Sequence, residues 1–489
     1  MQAAGERLTH LWDSDMFHGC VFLTVLAVSW YEPDMIYFSF LLCCQSFCLI
    51  INLTVFPVAG NRKSVEKYKS PKAVNEEKMK IINKKWLIGC SSIIAICAVT
   101  LSVWGCSKNT KPEIEVALWN LDVYDHYTEQ VQSLVPDVKI KWVEGQRNLD
   151  YYKQLAETES LPDIITVRKF SMKDSLSLNP YLMDLTRTEV ASSYYDIYLE
   201  NYKTSEGKVF WVPMSGTVDG IVANKELFEQ YNIPVPSDFD SFISACQAFE
   251  TYGIRGYSID LSIDYNALHL LQGMGIESLS SVDGIIWRKD YDDGKTNQLD
   301  SRVWLPAFEK LERLNTLKIL DQDTMYSDDL LSYERFIEGT QAMVNISSES
   351  ISKLLPGKEV EILPYFGENQ NFLLTYPTFN AAITKAGGEN SVKKAAAWKV
   401  LMAMTSSQAQ EELNRYTDGL IPYKRDISFE YDGSMSMVQQ YLERNRTYIR
   451  LGSEEFFEIS KITVDEMLEN HFSAEGALDL MNDLLSHSE

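Results

Sequence analysis

Apolar and polar residues alternate at Ile114, Val116 and Leu118, and again at Val138, Ile140 and Trp142. Period-two patterning of this kind predicts two strands. Between them Tyr127, Val131 and Leu134 recur at helical spacing and predict a connecting helix. A further short helix is expected over 148–156, and the apolar run 162–167 reads as a buried strand. The order β-α-β-α-β calls for a mostly parallel sheet with helices on its faces.

Later segments are punctuated as clearly. Ser237 with Asp240 three residues on predicts a capped helix start, Phe239, Phe242, Cys246 and Phe249 its inner face, and Gly253 its stop. Residues 328–338 read as a helix broken by Gly339, followed by an apolar strand over 341–346. An alanine-rich buried helix is expected over 392–404. Ser407 and Gln410 open another, with Leu413 inside and Gly419 at its end. Strands and helices thus continue well past position 330, predicting a second α/β lobe.

The N-terminal region follows a different pattern. Lys80, Lys84 and Lys85 precede about 20 apolar residues, and Gly105-Cys106 then opens onto a polar tether. This is the layout of a bacterial export signal over 79–105, with Cys106 as the lipid-bearing residue and 106–112 as the tether. Val103-Trp104-Gly105-Cys106 resembles a lipobox, departing from it at Trp104 and Val103. A signal-anchor helix would leave the same lysines inside and the same body outside. Residues 1–78 are read as an extension added by a mis-assigned start codon, because Glu76-Glu77-Lys78 is encodable by purines alone, as a ribosome-binding site would be. Two membrane passes from the apolar runs 16–30 and 37–59 are the other reading.

From Cys106 onward the chain holds 384 residues, enough for two lobes of ordinary size. This part carries 35 Lys/Arg and 61 Asp/Glu, a net charge of −26, which repels nucleic acid and anionic head groups alike. Only Cys106 and Cys246 of the eight cysteines fall here, so no internal disulfide framework is expected, and Cys246 reads as a small core residue.

Several chemistries lack their residues. Gly294-Lys295-Thr296 has Lys289 where a phosphate loop needs its first glycine. There is no HExxH, no CxxC and no GxSxG, and His126, His269, His471 and His487 are scattered, so neither a metal nor another cofactor is expected. A carboxylate pair of the glycosidase kind cannot be picked out of 61 acids.

The stretch Gly207-Lys208-Val209-Phe210-Trp211-Val212-Pro213, continuing to Ala223-Asn224-Lys225-Glu226-Leu227-Phe228, resembles the extracellular solute-binding proteins (family 1, carbohydrate type) of ABC importers. In the family's order, Tyr231 to Asp240 stands in place of its G-I-x-x-P-x-T-W-D-E-F segment, and Phe336-Ile337-Glu338-Gly339-Thr340-Gln341-Ala342-Met343 matches F-x-x-G-x-x-A-M. Pro377 to Lys385 resembles the strand that returns through the hinge. Ala397-Trp398-Lys399-Val400-Leu401 with Ser407-Gln408-Ala409-Gln410 resembles a helix pair, and Gly419-Leu420-Ile421-Pro422 the loop after it. The resemblance implies a type II periplasmic-binding-protein-like fold, α/β in two lobes, with an interlobe ligand cleft. The lobes would comprise 113–215 with 378–428, and 219–374 with 432–489, joined by hinge strands near 215–218 and 374–378.

A sugar site needs flat aromatic rings for C–H faces and planar polar groups for hydroxyls. The resemblance points to Trp119 and Asn120 after the first strand, Asp163 and Arg168 around the third, and Ser215, Thr217 and Asp219 at the first hinge. It adds Tyr265 and Asn266 in the second lobe, Ser348 and Glu349, and Tyr376 at the return hinge. Glu349 replaces a tryptophan usual in the family, and Asp219 an aromatic or uncharged residue. These two carboxylates would suit sugar hydroxyls or an amine-bearing ligand such as an amino sugar or polyamine. The implied protein is a non-catalytic, monomeric, lipid-anchored carbohydrate receptor serving an ABC permease at the outer membrane face. A surface polysaccharide-degrading enzyme and a binding subunit for a membrane sensor are the competing readings.

Overall fold

The computed structural model describes residues 27–32, 35–44, 47–55, 111–320, 329–431, 433, 435 and 437–487. The export signal, Cys106 and the tether up to residue 110 lie outside the described residues. Two compact units are present, with the second beginning at Lys111. In the first, β1 (Ala27–Glu32), β2 (Met35–Cys44) and β3 (Phe47–Val55) form an antiparallel sheet with β2 central. The described backbone there is β. Among the described residues no helix is long and apolar enough to cross a membrane.

The second unit contains two sheets. Its strands are β4 (Glu113–Trp119), β5 (Lys139–Gly145), β6 (Ile164–Val167), β7 (Val212–Pro213), β8 (Gly216–Asn224), β9 (Arg255–Ser258) and β10 (Gln341–Ser347). They are followed by β11 (Val360–Leu363), β12 (Leu373–Pro377), β13 (Asn380–Ile383) and β14 (Thr447–Ile449). One sheet has the order β5-β4-β6-β13-β7, with β4 parallel to β5 and β6 as the β-α-β-α-β pattern requires. Val116 lies opposite both Trp142 and Ile164. All four residues of β6 are buried, as expected of a strand covered by helices on both faces. The other sheet runs β14-β12-β8-β10-β9. There β12 and β11 share one edge of β8, pairing with its first and second halves in turn.

Two core clusters are present. The first joins Ile114, Val116, Tyr127, Val131, Ile164 and Val400 of the first sheet and its helices to Val222, Val344 and Ile362 of the second sheet. The other gathers Phe242, Phe249, Tyr257, Leu271, Trp304 and Met467 on the second sheet. Each large apolar side chain buried this way contributes about 1.5–3 kcal/mol. Cys246 sits in the second core beside its phenylalanines, and burial pushes its thiol pKa up, away from reactivity.

Two local expectations shift. The helix Phe239–Glu250 is capped by Asp238, not Ser237: Ser241 N–H donates to Asp238 Oδ1 at 2.8 Å and Asp238 N–H to Ser241 Oγ at 3.0 Å. A carboxylate one residue closer to the helix is the stronger acceptor for an N-terminal amide. Gln410 does not cap its own helix, whose N-cap is Ser406; it is buried and accepts the Ser215 N–H at 2.7 Å.

The chain crosses between sheets at Met214–Ser215 and again at Thr378–Phe379, and the two crossings are hydrogen-bonded to each other. Thr378 N–H donates to Ser215 O at 3.0 Å and Met214 N–H to Phe379 O at 2.8 Å. Gly216 is gripped on both edges, by Pro377 of β12 and by Ile421, with Ile421 N–H donating to its carbonyl at 2.6 Å. A Cβ at Gly216 would stand 2.3 Å from both Tyr376 O and Tyr423 Oη. Gly216→Ala is therefore expected to lower stability by about 1–3 kcal/mol through overpacking at the crossing. Denaturant unfolding checks this, and a cost within a few tenths of a kcal/mol would count against so tight a crossing.

Candidate functional site

The C-terminal ends of β6 and β12, the middle of β8 and the end of β10 face one another across a cavity of about 320 Å³. It is lined by Arg147, Arg168, Lys169, Asp219, Tyr265, Asn266, His269, Asn345, Glu349, Tyr376, Arg450 and Phe457, among others. Both sheets contribute, so the cavity lies where the lobes meet. In α/β folds the strand C-termini are where unpaired backbone and loop side chains are free to take a ligand.

Two arginines organise its floor. Arg168, on the residue after β6, donates through Nη1 to Pro377 O at 3.1 Å and Thr378 O at 2.9 Å, both at the crossing. Its Nη2 donates to Glu349 Oε1 at 3.3 Å. Arg450, just after β14, pairs with Asp219 Oδ2 at 2.7 Å. The Tyr376 ring lies 3.9 Å from the Arg450 guanidinium and 5.1 Å from that of Arg168, and its hydroxyl donates to Arg168 O at 2.6 Å. The ring is thus held at the crossing, buried in the cavity floor.

The helix Asp264–Met274 supplies a second aromatic wall. Tyr265 is partly exposed, its ring 5.2 Å from His269 and 6.3 Å from Phe457. Asn266 turns its amide back to Asp260 O at 2.6 Å. His269 is buried against Arg450, and burial followed by that positive charge holds its pKa well below the usual imidazole range, keeping the ring neutral. Asn345 of β10 accepts the Tyr365 hydroxyl at 2.8 Å.

The cavity therefore brings together Arg168, Asp219, Tyr265, Asn266, Glu349 and Tyr376 of the residues expected from the sequence. Trp119 lies beside it, 5.7 Å under the Arg168 guanidinium, and its backbone N–H donates to Thr166 Oγ1. Asn120 turns the chain out of β4 at φ +60°. Thr217 and Ser215 are buried in the crossing itself. Ser348 is a structural bridge: Val218 N–H donates to its Oγ at 3.0 Å, and that hydroxyl donates to Gly419 O at 2.7 Å.

Asp163 is placed at the opposite, N-terminal end of β6, away from the cavity. Its carboxylate accepts the Glu115 N–H at 3.0 Å and pairs with Lys393 at 2.8 Å, so it stitches β4, β6 and a helix instead of meeting a ligand. Asp163→Ala should cost about 1–3 kcal/mol of stability, the penalty for an orphaned amide and a lost charged bond, while leaving ligand affinity within about twofold. Unfolding and titration calorimetry on one variant separate the two effects. A selective loss of affinity would return Asp163 to the site.

The carboxylates Asp219 and Glu349 both face arginines, Arg450 and Arg168 respectively. Arg450, His269 and Asn345 were not foreseen. His269 had a signal, four residues after Tyr265 on one helical face. Arg450 had none.

No family model matches the chain. A multiple sugar-binding protein of Streptococcus mutans is 22% identical over 218 residues, 39% of this chain and 49% of that protein. The match therefore spans about half the relative's length. Among solved structures, a family 1 extracellular solute-binding protein from Bifidobacterium longum subsp. infantis superposes with a TM-score of 0.66 at 15% identity, covering 77% of this chain and 99% of that one. The chain has the fold of a solute-binding protein. RafE from Streptococcus pneumoniae gives 0.60 at 15% identity over 77% of this chain and 97% of its own. A Bacillus licheniformis sugar transporter protein in complex with stachyose gives 0.52 at 13%, over 76% and 98%. In this solute-binding-protein fold two α/β lobes are joined by the crossing strands, and the cavity described above occupies the junction between them.

Proposed function

We propose that this protein captures a sugar or oligosaccharide between its lobes by hinge closure and releases it, chemically unchanged, to an ABC permease. The observation that carries the reading is the cavity between the two sheets, lined by the exposed Tyr265 ring together with Arg168, Arg450, Asn266 and Asn345. Flat rings match sugar C–H faces, and the fork-shaped guanidiniums with Asn266 and Asn345 match hydroxyls. The closing bodies are 113–215 with 378–428 and 219–374 with 432–489, pivoting at the paired crossings. Ligand bound by both lobes shifts the population toward the closed form, which a permease can distinguish. The protein works outside the cell as a monomer, tethered through a lipid on Cys106.

Catalysis is disfavoured on specific grounds. Glycoside hydrolysis needs one carboxyl group as proton donor and another as base or nucleophile, whereas Asp219 and Glu349 are each engaged by an arginine. The names of the similar proteins, a sugar-binding protein and solute-binding proteins, support the same side.

A thermal-shift screen of the purified chain against mono- and oligosaccharides tests the reading. A ligand at one hundred times its dissociation constant should stabilise by about 2.7 kcal/mol, with the sugar recovered intact by chromatography. Sugar consumption would establish an enzyme, and no shift with any sugar would reject the receptor.

A further inference from the structure

We infer that the ligand is an acidic sugar, carrying a carboxylate or sulfate on its rings, held at the cavity rim by Arg147 and Lys169; this rests on the carbohydrate reading above. The chain as a whole carries a net charge of −24. Its cavity inverts that sign: Arg147, Arg168, Lys169 and Arg450 line it against only Asp219 and Glu349. The two carboxylates are matched by Arg450 at 2.7 Å and Arg168 at 3.3 Å. Two cations are then left over.

Neither is neutralised within the cavity. Arg147 has no carboxylate partner in ion-pair range among the described residues, and its backbone carbonyl accepts the N–H groups of Arg168 and Lys169 at 3.1 and 2.7 Å. These two hydrogen bonds fix the Arg147 loop beside the end of β6. Lys169 pairs only with Glu454, a largely exposed residue at the start of the helix Glu454–Asn470. An exposed pair is weak and readily exchanged for a better anion. In an acidic molecule, surface lysine and arginine tend to be surrounded by carboxylates. A cleft lined by four cations and two carboxylates, with Lys169 held only by a solvent-exposed glutamate, focuses a positive field onto whatever enters it. A neutral sugar gains only hydrogen bonds from these groups, an anionic one gains charge pairing as well, and a cationic one is repelled.

Titration calorimetry with a galacturonate trimer, its methyl ester and raffinose tests the inference, because the ester keeps the skeleton and removes the charge. The acid trimer should bind at least tenfold more tightly than its ester, and its affinity should fall between 20 and 500 mM salt as the shortened screening length weakens the pairing (roughly 20 Å to 4 Å). Arg147→Gln and Lys169→Gln should each weaken the acid trimer roughly tenfold, the usual worth of a charge-assisted hydrogen bond, and weaken the ester by clearly less, about twofold. A sulfated disaccharide in parallel tells sulfate from carboxylate. Equal or tighter binding of the ester or of raffinose would overturn the acidic preference while leaving the receptor reading standing. Acid binding that ignores both substitutions would overturn the assignment of these residues. No binding of any sugar would reject both readings together.

Discussion

Arg450→Met should destabilise the protein by about 3 kcal/mol or more and abolish measurable ligand binding. Asp219 and Arg450 are both nearly buried and meet at 2.7 Å, so removing the guanidinium leaves a carboxylate in a poorly solvated site without a counter-charge. Breaking one side of such a pair typically costs 3–5 kcal/mol, more than the pair itself contributes. The same substitution removes the cation stacked 3.9 Å from Tyr376, loosening the ring that forms the cavity floor. Adding Asp219→Asn in the same chain should recover most of the stability, because the stranded charge is gone, but not the binding. Urea unfolding of the single and double variants gives the coupling directly. If Arg450→Met unfolds within 1 kcal/mol of the parent, the pair is solvated and its structural role is lost.

The second large effect is expected at Arg168. Its guanidinium satisfies the carbonyls of Pro377 and Thr378 and faces Glu349, tying the end of β6 to the return crossing. Arg168→Met would strand two carbonyls at the pivot, and hydrogen bonds to charged donors are worth about 1.5–3 kcal/mol each. A loss of about 2–4 kcal/mol is expected, with a fall in affinity of roughly a hundredfold because the bonds that set the lobe junction also frame the cavity. Arg168→Lys should rescue little: an ammonium is a point donor and cannot fork to two carbonyls while facing a carboxylate. Full recovery with lysine would mean that only the charge matters at this position.

How far the site could be read ahead of the structure follows from the range of the interactions that build it. Tyr376, Asp219, Arg168 and Glu349 sit beside motifs that mark strand ends and crossings, so their neighbourhood was legible. Their partners were not. Nothing near Asp219 announces that Arg450 will neutralise it, because that contact depends on β14 pairing with β12 in the second sheet. For the same reason Asp163, which precedes β6, was grouped with Arg168, which follows it. A four-residue strand spans about 13 Å, enough to put one in the cavity and the other at the far edge of the sheet.

By itself the sequence determined the first β-α-β-α-β run with the parallel pairing of β4, β5 and β6, and several later helices, since periodicity and chain connectivity act over a few residues and permit few topologies. Helices such as Ser301–Thr316 and Glu454–Asn470 were not read from it. It also set the excess of negative charge, which needs no fold to be counted. Only the tertiary structure decided which charges meet. The pairing of Asp219 with Arg450 and of Glu349 with Arg168, and the cations left over at Arg147 and Lys169, arise where strands distant in sequence converge. Electrostatic energy depends on separation in space and on burial, and neither is written in the linear order of residues.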